Sequence, residues 1–166
     1  MKRVTFLLTV VTAFVVGSVL AQEKKSPPAT AEGTIGSAKV TIKYSQPSAR
    51  GRQIMGGLVP YGEVWRTGAN ASTSIEFSAP VKIEGKDIAK GTYALFTIPG
   101  ENEWVIILNK TLDWGAFNYK QSEDVLRVNV KPQKTDSFVE TFNISVVKDG
   151  IELKWENTLV PVKIKG

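Results

Sequence analysis

Hydrophobic and polar residues alternate along most of this chain with a period of two. The alternation is clearest in four runs, residues 39–44, 81–84, 126–131 and 151–156. In such a run one face of an extended segment is apolar and the other is polar, which is typical of a strand that lies between a core and water. Each of these runs is therefore predicted to be a half-buried β-strand.

Two further runs are apolar on both faces, Tyr93 to Ile98 and Trp104 to Leu108. They fit central strands that are covered on both sides, and residues 99–102 between them predict a hairpin. A second hairpin is predicted where Asp149-Gly150, a strong turn signal, separates two apolar runs. Pro161 lies inside the last run and predicts an edge or bulged strand there.

These patterns predict an all-β fold, an antiparallel β-sandwich or jelly-roll-like architecture with about nine strands. No amphipathic helix is predicted, although Asp113 to Ser122 is compatible with one short helical turn. A long loop rich in glycine and arginine follows the first predicted strand. We assign residues 37–166 to one β-sandwich domain and residues 22–36, which are polar and contain Pro27-Pro28, to a flexible linker.

The first 21 residues have the pattern of a secretory signal peptide. Lys2 and Arg3 precede an uncharged apolar stretch, and Val19-Leu20-Ala21 supplies small residues at the cleavage positions. The alternative is an uncleaved membrane anchor. The apolar stretch is only slightly shorter than the roughly 20 residues that span a bilayer, so its length leaves this alternative open. We favour cleavage, and we expect a periplasmic or secreted protein with no membrane span after processing.

Composition excludes several kinds of chemistry. The chain has no cysteine and no histidine, so it cannot contain a Ser-His-Asp or Cys-His catalytic system or the usual type of zinc site. We therefore predict no metal site and no cofactor. Without residues 1–21 the formal net charge falls from +5 to +3, which is too low for a nucleic-acid-binding surface.

Strand alternation stops between residues 46 and 72, in the run QPSARGRQIMGGLVPYGEVWRTGANAS, which we call the arginine segment. Loops longer than about 12–15 residues in compact domains usually have a function. Arginine offers a planar fork for carboxylate, sulfate or phosphate, and tryptophan offers a flat face for a sugar. The candidate ligand-binding residues are Arg50, Arg52, Tyr61, Trp65, Arg66 and Asn70.

A purely structural role for the arginine segment is the competing interpretation. Arg66 would then pair with a carboxylate such as Glu63, Trp65 would fill the core, and Asn70 would form a turn. Arg50 and Arg52 would be a solvated basic pair.

Two blocks in the chain are distinctive. The first is residues 51–70, which contain the sequence WRTGAN, and the second is residues 85–96, followed by Ile98-Pro99 and Trp104. Both resemble the family known as domain of unknown function 2911, and the resemblance covers roughly residues 39–165. It implies secreted or periplasmic proteins of Gram-negative bacteria that have no established activity, and it supplies no catalytic residues.

Three functions remain open at this point. The first, which we favour, is non-catalytic binding of a small polar or anionic ligand, or of a glycan, through the arginine segment. The second is a carboxylate-dependent glycan hydrolase that would use Glu63, Asp113 and Glu123. The third is a structural or protein-binding module of the cell envelope. The absence of histidine and cysteine favours the first and the third, and no catalytic residue is assigned.

Overall fold

A computed structural model describes residues 26–113 and 115–166 of the chain. The predicted signal peptide and the first residues of the predicted linker lie outside this part. Within it the fold is all-β, with two antiparallel sheets that are not closed into a barrel, as the alternation of the sequence predicted.

Ten strands are present in the described residues, close to the nine or so that were predicted. Their bounds are β1 Pro28–Ile35, β2 Ala38–Ser45, β3 Ser74–Phe77, β4 Val81–Ile83, β5 Lys86–Ile88, β6 Gly91–Ile98, β7 Trp104–Asn109, β8 Asp124–Val130, β9 Gln133–Val147 and β10 Gly150–Lys165. One sheet has the order β1-β2-β3-β6-β7-β8 and the other has the order β5-β4-β10-β9. The arrangement is sandwich-like.

The main core takes the inward-facing residues of both sheets. Every second residue of β2 is buried, and β8 and the first part of β10 show the same period. The largest fully buried side chains include Trp104, Trp155, Phe77 and Phe142. Burial of this apolar surface is the main force that holds the two sheets together, since the chain has no disulfide.

Strands β6 and β7 are covered on both faces, as their unbroken apolar runs predicted. Their outer face carries a second, smaller cluster formed by Ala94, Phe96 and Ile107. Val64 from the arginine segment and Tyr119 pack against this cluster. The arginine segment therefore lies against the outer side of the six-stranded sheet as well as at its end.

Most of the stretch that we interpreted as a flexible linker is strand β1. Residues 28–35 pair with β2 in continuous antiparallel register, from Pro28 opposite Ser45 to Ile35 opposite Ala38. The inward-facing positions of β1 are mostly alanine and glycine, so its alternation carries little hydrophobic signal. Gly33 is needed there, because a Cβ at this position would lie 2.6 Å from a methyl group of Val146 in β9.

The last two strands form the predicted hairpin, with Lys148 and Asp149 as the two residues of its turn. Strand β10 then folds back on itself: the φ angle of Glu156 is +51°, and the amide of Ile164 donates to the carbonyl of Asp149. Pro161 predicted an edge or bulged strand. The strand is not an edge, because β10 lies between β4 and β9, but its pairing with β9 contains register shifts at residues 154–158, upstream of the proline. The proline is tolerated because it falls between the stretch paired with β9 and the stretch paired with β4.

The described residues contain no α-helix, and a single 3-10 turn covers Gln121–Glu123, at the end of the stretch that was expected to hold one. No helix with the length and apolar character needed to cross a membrane occurs in this part of the chain.

Candidate functional site

The arginine segment is fixed by pairing with the second half of β6. Strand β3 pairs only with residues 91–94 of β6, which leaves the rest of that edge open. Residues of the segment take its place: the amide of Trp65 donates to the carbonyl of Thr97 at 2.7 Å, and the amide of Thr97 donates back at 3.0 Å. The amide of Gly62 donates to the carbonyl of Pro99 at 2.9 Å. The segment is thus an extension of the sheet.

Trp65 joins this segment to the aromatic part of the core. Its ring stacks on Trp155, with the centroids 5.9 Å apart and the planes at 20°. It also makes edge contacts with Phe142 and Trp104, at 5.1 and 6.4 Å between centroids. The indole Nε1 donates to the carbonyl of Gly68 at 3.2 Å. Trp65 fills the core, as the structural interpretation expected, although it is only partly buried.

Buried threonines hold the chain on both sides of Arg66. The hydroxyls of Thr67 and Thr97 are hydrogen-bonded at 3.1 Å, and the hydroxyl of Thr73 donates to the carbonyl of Thr67 at 2.6 Å. Thr67 has a φ angle of +56°, a conformation that a branched residue rarely adopts. The surrounding bonds therefore impose the backbone geometry from which the side chain of Arg66 starts.

A tight turn presents the other two arginines. The amide of Arg52 donates to the carbonyl of Ala49 at 3.1 Å, and the two central residues, Arg50 and Gly51, have φ angles of +52° and +71°. This is the pattern of a type I′ turn. The guanidinium of Arg52 donates from Nε to the Ala49 carbonyl and from Nη2 to the Ser48 carbonyl, at 3.0 and 2.7 Å. Two uncharged backbone carbonyls therefore orient the guanidinium of Arg52.

Glu156 anchors the middle of the segment from the opposite sheet. Its two carboxylate oxygens accept hydrogen bonds from the amides of Ile54 and Met55, at 3.1 and 3.2 Å. Both amides belong to buried residues, so the carboxylate satisfies donors that would otherwise lack an acceptor. The bend in β10 at Glu156 thus positions the arginine segment.

These elements line a half-open cavity of about 560 Å³, which we call the arginine cavity. Four of the six candidate residues line it: Arg50, Arg52, Trp65 and Arg66. The other lining residues are mostly apolar, and they are Ser26, Pro47, Leu58, Val59, Val64, Gly68, Ala69, Ala116 and Trp155. Within the part of the chain that the structure describes, no aspartate or glutamate lines it.

None of the three cavity arginines forms an ion pair within the described part of the chain. The remaining arginine of this part, Arg127, pairs with Asp124 at 3.3 Å. The Nε of Arg66 is buried and has no hydrogen-bond acceptor among the described residues. Leaving such a donor unsatisfied typically costs about 1–3 kcal/mol, more for a charged group. The expected pairing of Arg66 with Glu63 is therefore not found.

The other two candidates point elsewhere. Asn70 has a φ angle of +60°, and its amide donates to the Ser26 carbonyl and the Ser45 hydroxyl, both at 3.3 Å, so it serves as a turn residue. Tyr61 lines a separate depression of about 350 Å³ together with Trp104. Neither residue is among those that line the arginine cavity.

The three carboxylates proposed for a hydrolase do not line one common cavity. Asp113 and Glu123 line a depression of about 310 Å³, where Asn118 donates a hydrogen bond to Asp113. Glu63 is not among the residues that line this depression or the arginine cavity.

One rim of the arginine cavity is formed by the turn at residues 115–119, which we call the rim turn. Ser72 ties it to the arginine segment, because its hydroxyl lies 2.5 Å from the Asp113 carbonyl and 2.7 Å from the Gly115 carbonyl. A Cβ placed on Gly115 would lie 3.1 Å from Nη1 of Arg66. The rim turn therefore lies directly against the guanidinium.

The far end of the rim turn is fixed by Tyr119. Its hydroxyl donates to the Asp124 carboxylate at 2.7 Å, and Arg127 donates to both groups at 3.3 Å. Burial of the phenol, followed by its hydrogen bond to Asp124, raises the pKa of Tyr119 to about 12. The tyrosine therefore stays protonated at ordinary pH and acts as a donor.

Sequence reasoning missed the walls that come from outside the arginine segment. Trp155 belongs to β10 and Ala116 to the rim turn, more than forty positions away along the chain. Nothing in their local sequence marks them as cavity residues, because they reach the site only through the packing of the sheets. Leu58 and Val64 lie within the arginine segment. Their position as apolar residues between the arginines was the only sequence feature that could have indicated that they line a cavity.

Comparison with known proteins gives one result. The family described as "Protein of unknown function (DUF2911)" matches residues 26–164, which confirms the resemblance inferred from the two sequence blocks. No match was found among curated proteins or among solved structures.

Proposed function

We propose that this chain, which belongs to the DUF2911 family of proteins of unknown function, is a non-catalytic binding protein for a small organic anion. The ligand occupies the arginine cavity, and its anionic group is held by the guanidinium groups of Arg66, Arg50 and Arg52. The cavity volume of about 560 Å³ lies within the usual range for small-molecule sites.

The observation that carries this proposal is that three arginines share one cavity without an ion pair among the described residues, although Glu140 accepts a hydrogen bond from the backbone amide of Arg50 at 2.7 Å. Three arginines line one cavity, and no carboxylate from residues 26–113 or 115–166 lines it with them. Arginine in proteins is normally charged, and positive charges that line the same cavity favour an anion inside it. A ligand carboxylate, phosphate or sulfate supplies the negative charge and can accept two parallel hydrogen bonds from one guanidinium.

The surroundings of Trp65 favour an anion over a neutral sugar. A sugar platform needs an aromatic face open to the ligand. The ring of Trp65 is instead stacked on Trp155 and packed against Phe142 and Trp104. It supports the floor of the cavity, and the arginines supply the specific contacts.

A hydrolase is the weaker alternative. Glycoside hydrolysis generally needs two carboxyl groups on either side of the scissile bond, and no described residue that lines the arginine cavity carries one. Asp113 and Glu123 share their depression with Lys120 but with none of the arginines. The proposed role is accordingly binding alone.

We also propose that the protein acts outside the cytoplasm, in the periplasm or the extracellular medium. The support is the pattern of residues 1–21, with its basic start, apolar stretch and small residues before Gln22. Intact-mass measurement of the exported protein should give a chain that begins at Gln22, and a chain that retains Met1 would contradict cleavage.

The binding proposal is tested by calorimetric titration of the purified protein, expressed from the full chain. Citrate, inorganic phosphate and glucuronate serve as anionic probes, with glucose as the neutral one. We expect at least one anion to bind, more weakly at higher salt because of screening, and glucose not to bind. Arg66→Ala should weaken binding by about tenfold or more, which corresponds to roughly 1.4 kcal/mol.

Lys148→Ala is the matched control for this experiment. It removes one positive charge from the exposed turn between β9 and β10, and Lys148 is not among the residues that line the arginine cavity. An equal loss of affinity in Arg66→Ala and Lys148→Ala would show that anion binding depends only on the net charge of the protein. That outcome, or no binding of any anion, would reject the proposal.

A further inference from the structure

The arginine cavity has an exposed aromatic side chain at its rim. Phe117 is 84% exposed, the highest value among the large hydrophobic residues of the described chain. Its ring would lie 3.3 Å from a Cβ placed on Gly115, and Nη1 of Arg66 would lie 3.1 Å from the same point. An unburied phenyl ring and a guanidinium without an ionic partner thus stand side by side.

A second exposed apolar side chain lies on the arginine segment. Leu58 is 50% exposed and lines the cavity. Single exposed hydrophobic residues are normal on a protein surface, but Leu58 is exposed within a cavity, and exposed apolar surface in such a place commonly marks a binding site. Phe117 does not line the cavity itself, but its neighbour Ala116 does.

The walls between these groups are also apolar. Val59, Val64, Ala69 and Ala116 line the cavity beside the two tryptophans of its floor. Val59 is already buried, but a wholly polar anion such as phosphate would satisfy the arginines and leave the partly exposed Val64, Ala69 and Ala116 against water. A ligand with an apolar part would cover them and would remove Phe117 and Leu58 from solvent as well.

We propose that the ligand of the arginine cavity is an amphiphilic anion, an acidic head group attached to an apolar chain. The head group binds to the guanidinium of Arg66, and the chain lies against the cavity walls under Phe117 and Leu58. This inference rests on the proposed function and adds the chemical class of the ligand. Phe117 is then the residue that selects for the apolar part.

The experiment is a chain-length series, with butanoate, hexanoate and octanoate titrated into the purified protein below the concentrations at which they form micelles. Octanol is the neutral control, and octyl phosphate tests a second head group. Affinity should rise by about three- to fourfold for each methylene that becomes buried, and by at least about tenfold from butanoate to octanoate. Octanol should bind more weakly than octanoate.

Phe117→Ala should remove most of the gain in affinity with chain length, so that the affinity for octanoate falls much more than the affinity for butanoate. Phe138→Ala is the matched control, because Phe138 is also exposed, at 55%, and is not among the residues that line the cavity. It should change neither quantity. Since Phe117 is almost fully exposed, its removal should leave the fold intact.

Three outcomes would overturn the inference. Binding of small anions that depends on Arg66 but does not vary with chain length would reject the amphiphile and leave the proposed function standing. The absence of any binding that depends on Arg66 would reject both. Binding to vesicles that contain an anionic phospholipid, without binding of the monomeric amphiphiles, would show that the face contacts a lipid surface and that the cavity does not enclose a ligand.

Discussion

The indole of Trp65 stacks on the indole of Trp155, with the ring centroids 5.9 Å apart. Trp155 is 2% exposed and belongs to the core between the sheets, whereas Trp65 belongs to the arginine segment. Both rings line the floor of the arginine cavity. The floor of the proposed binding site is therefore part of the core, and changes there should affect stability and binding together.

We expect Trp65→Ala to lower the free energy of unfolding by about 3 kcal/mol, the lower end of the range for large aromatic residues, because the ring is only partly buried. Trp65→Phe keeps an aromatic ring but loses the hydrogen bond to Gly68, and should cost about 1–2 kcal/mol. Denaturant unfolding measures both. Phe138→Ala should stay within about 0.5 kcal/mol of the wild type, and a Trp65→Ala variant of equal stability would contradict the packing described.

Glu156 should be as important for the arginine segment as residues within it. In Glu156→Gln one oxygen becomes an NH₂ group, which cannot accept from the amide of Met55 or Ile54. We expect a loss of about 1–3 kcal/mol for the buried donor left unsatisfied, with faster hydrogen exchange at these two amides. Exchange rates can be measured residue by residue by NMR.

Glu152→Gln is the control for this change. Glu152 also lies in β10, but its carboxylate pairs with Lys154 near the surface, at 2.7 Å. Such pairs contribute about 0–1 kcal/mol, and the amides of Ile54 and Met55 should be unaffected. Unchanged exchange at both amides in Glu156→Gln would mean that the carboxylate does not anchor the segment.

The strands whose apolar faces are large were predictable from the sequence. The period of two in residues 39–44 and the double-sided apolar run at residues 93–98 correspond to β2 and β6. Strand β1 was missed because small residues such as Ala29 and Ala31 face inward and give almost no hydrophobic contrast. Its stability comes from backbone pairing with β2, which local sequence does not report.

The site was predictable in part, for a related reason. Arginines in a segment without strand alternation indicated a site, and three of them line the cavity. The directions of Tyr61 and Asn70 could not be predicted, because in irregular chain no fixed period relates a residue to a face. Trp155 is brought in by the bend of β10 at Glu156, a long-range consequence of sheet packing.

Tyr119 should make stability depend on pH in the alkaline range. Folding raises its pKa from the ordinary value of 10.0 to about 12, so the folded state favours the protonated phenol. The stabilisation is complete below about pH 10 and is lost as the pH rises towards 12. Tyr119→Phe lacks this contribution, so the difference in unfolding free energy between wild type and variant should shrink above pH 10.

Denaturant unfolding at a series of pH values measures this difference. Absorbance titration of phenolate provides a second test, since the variant should lack the component that titrates near pH 12. A difference between the two proteins that stays constant above pH 10 would contradict the raised pKa of Tyr119.

Arg66→Lys separates a binding role of Arg66 from a structural one. Lysine keeps the positive charge but loses the planar fork that takes two oxygens of one acid group. Because Arg66 has no ion pair among the described residues and its Nε has no acceptor, the protein loses little by the change. We expect a melting temperature close to that of the wild type. The affinity for the anionic probe should fall by about tenfold or more, equivalent to roughly 1.5–3 kcal/mol for hydrogen bonds to a charged group. Calorimetric titration and thermal unfolding of the same preparation give both quantities.

A variant that melts markedly lower and binds as well as the wild type would assign Arg66 to the scaffold, and the arginine cavity would then lack the residue on which the proposed function depends most.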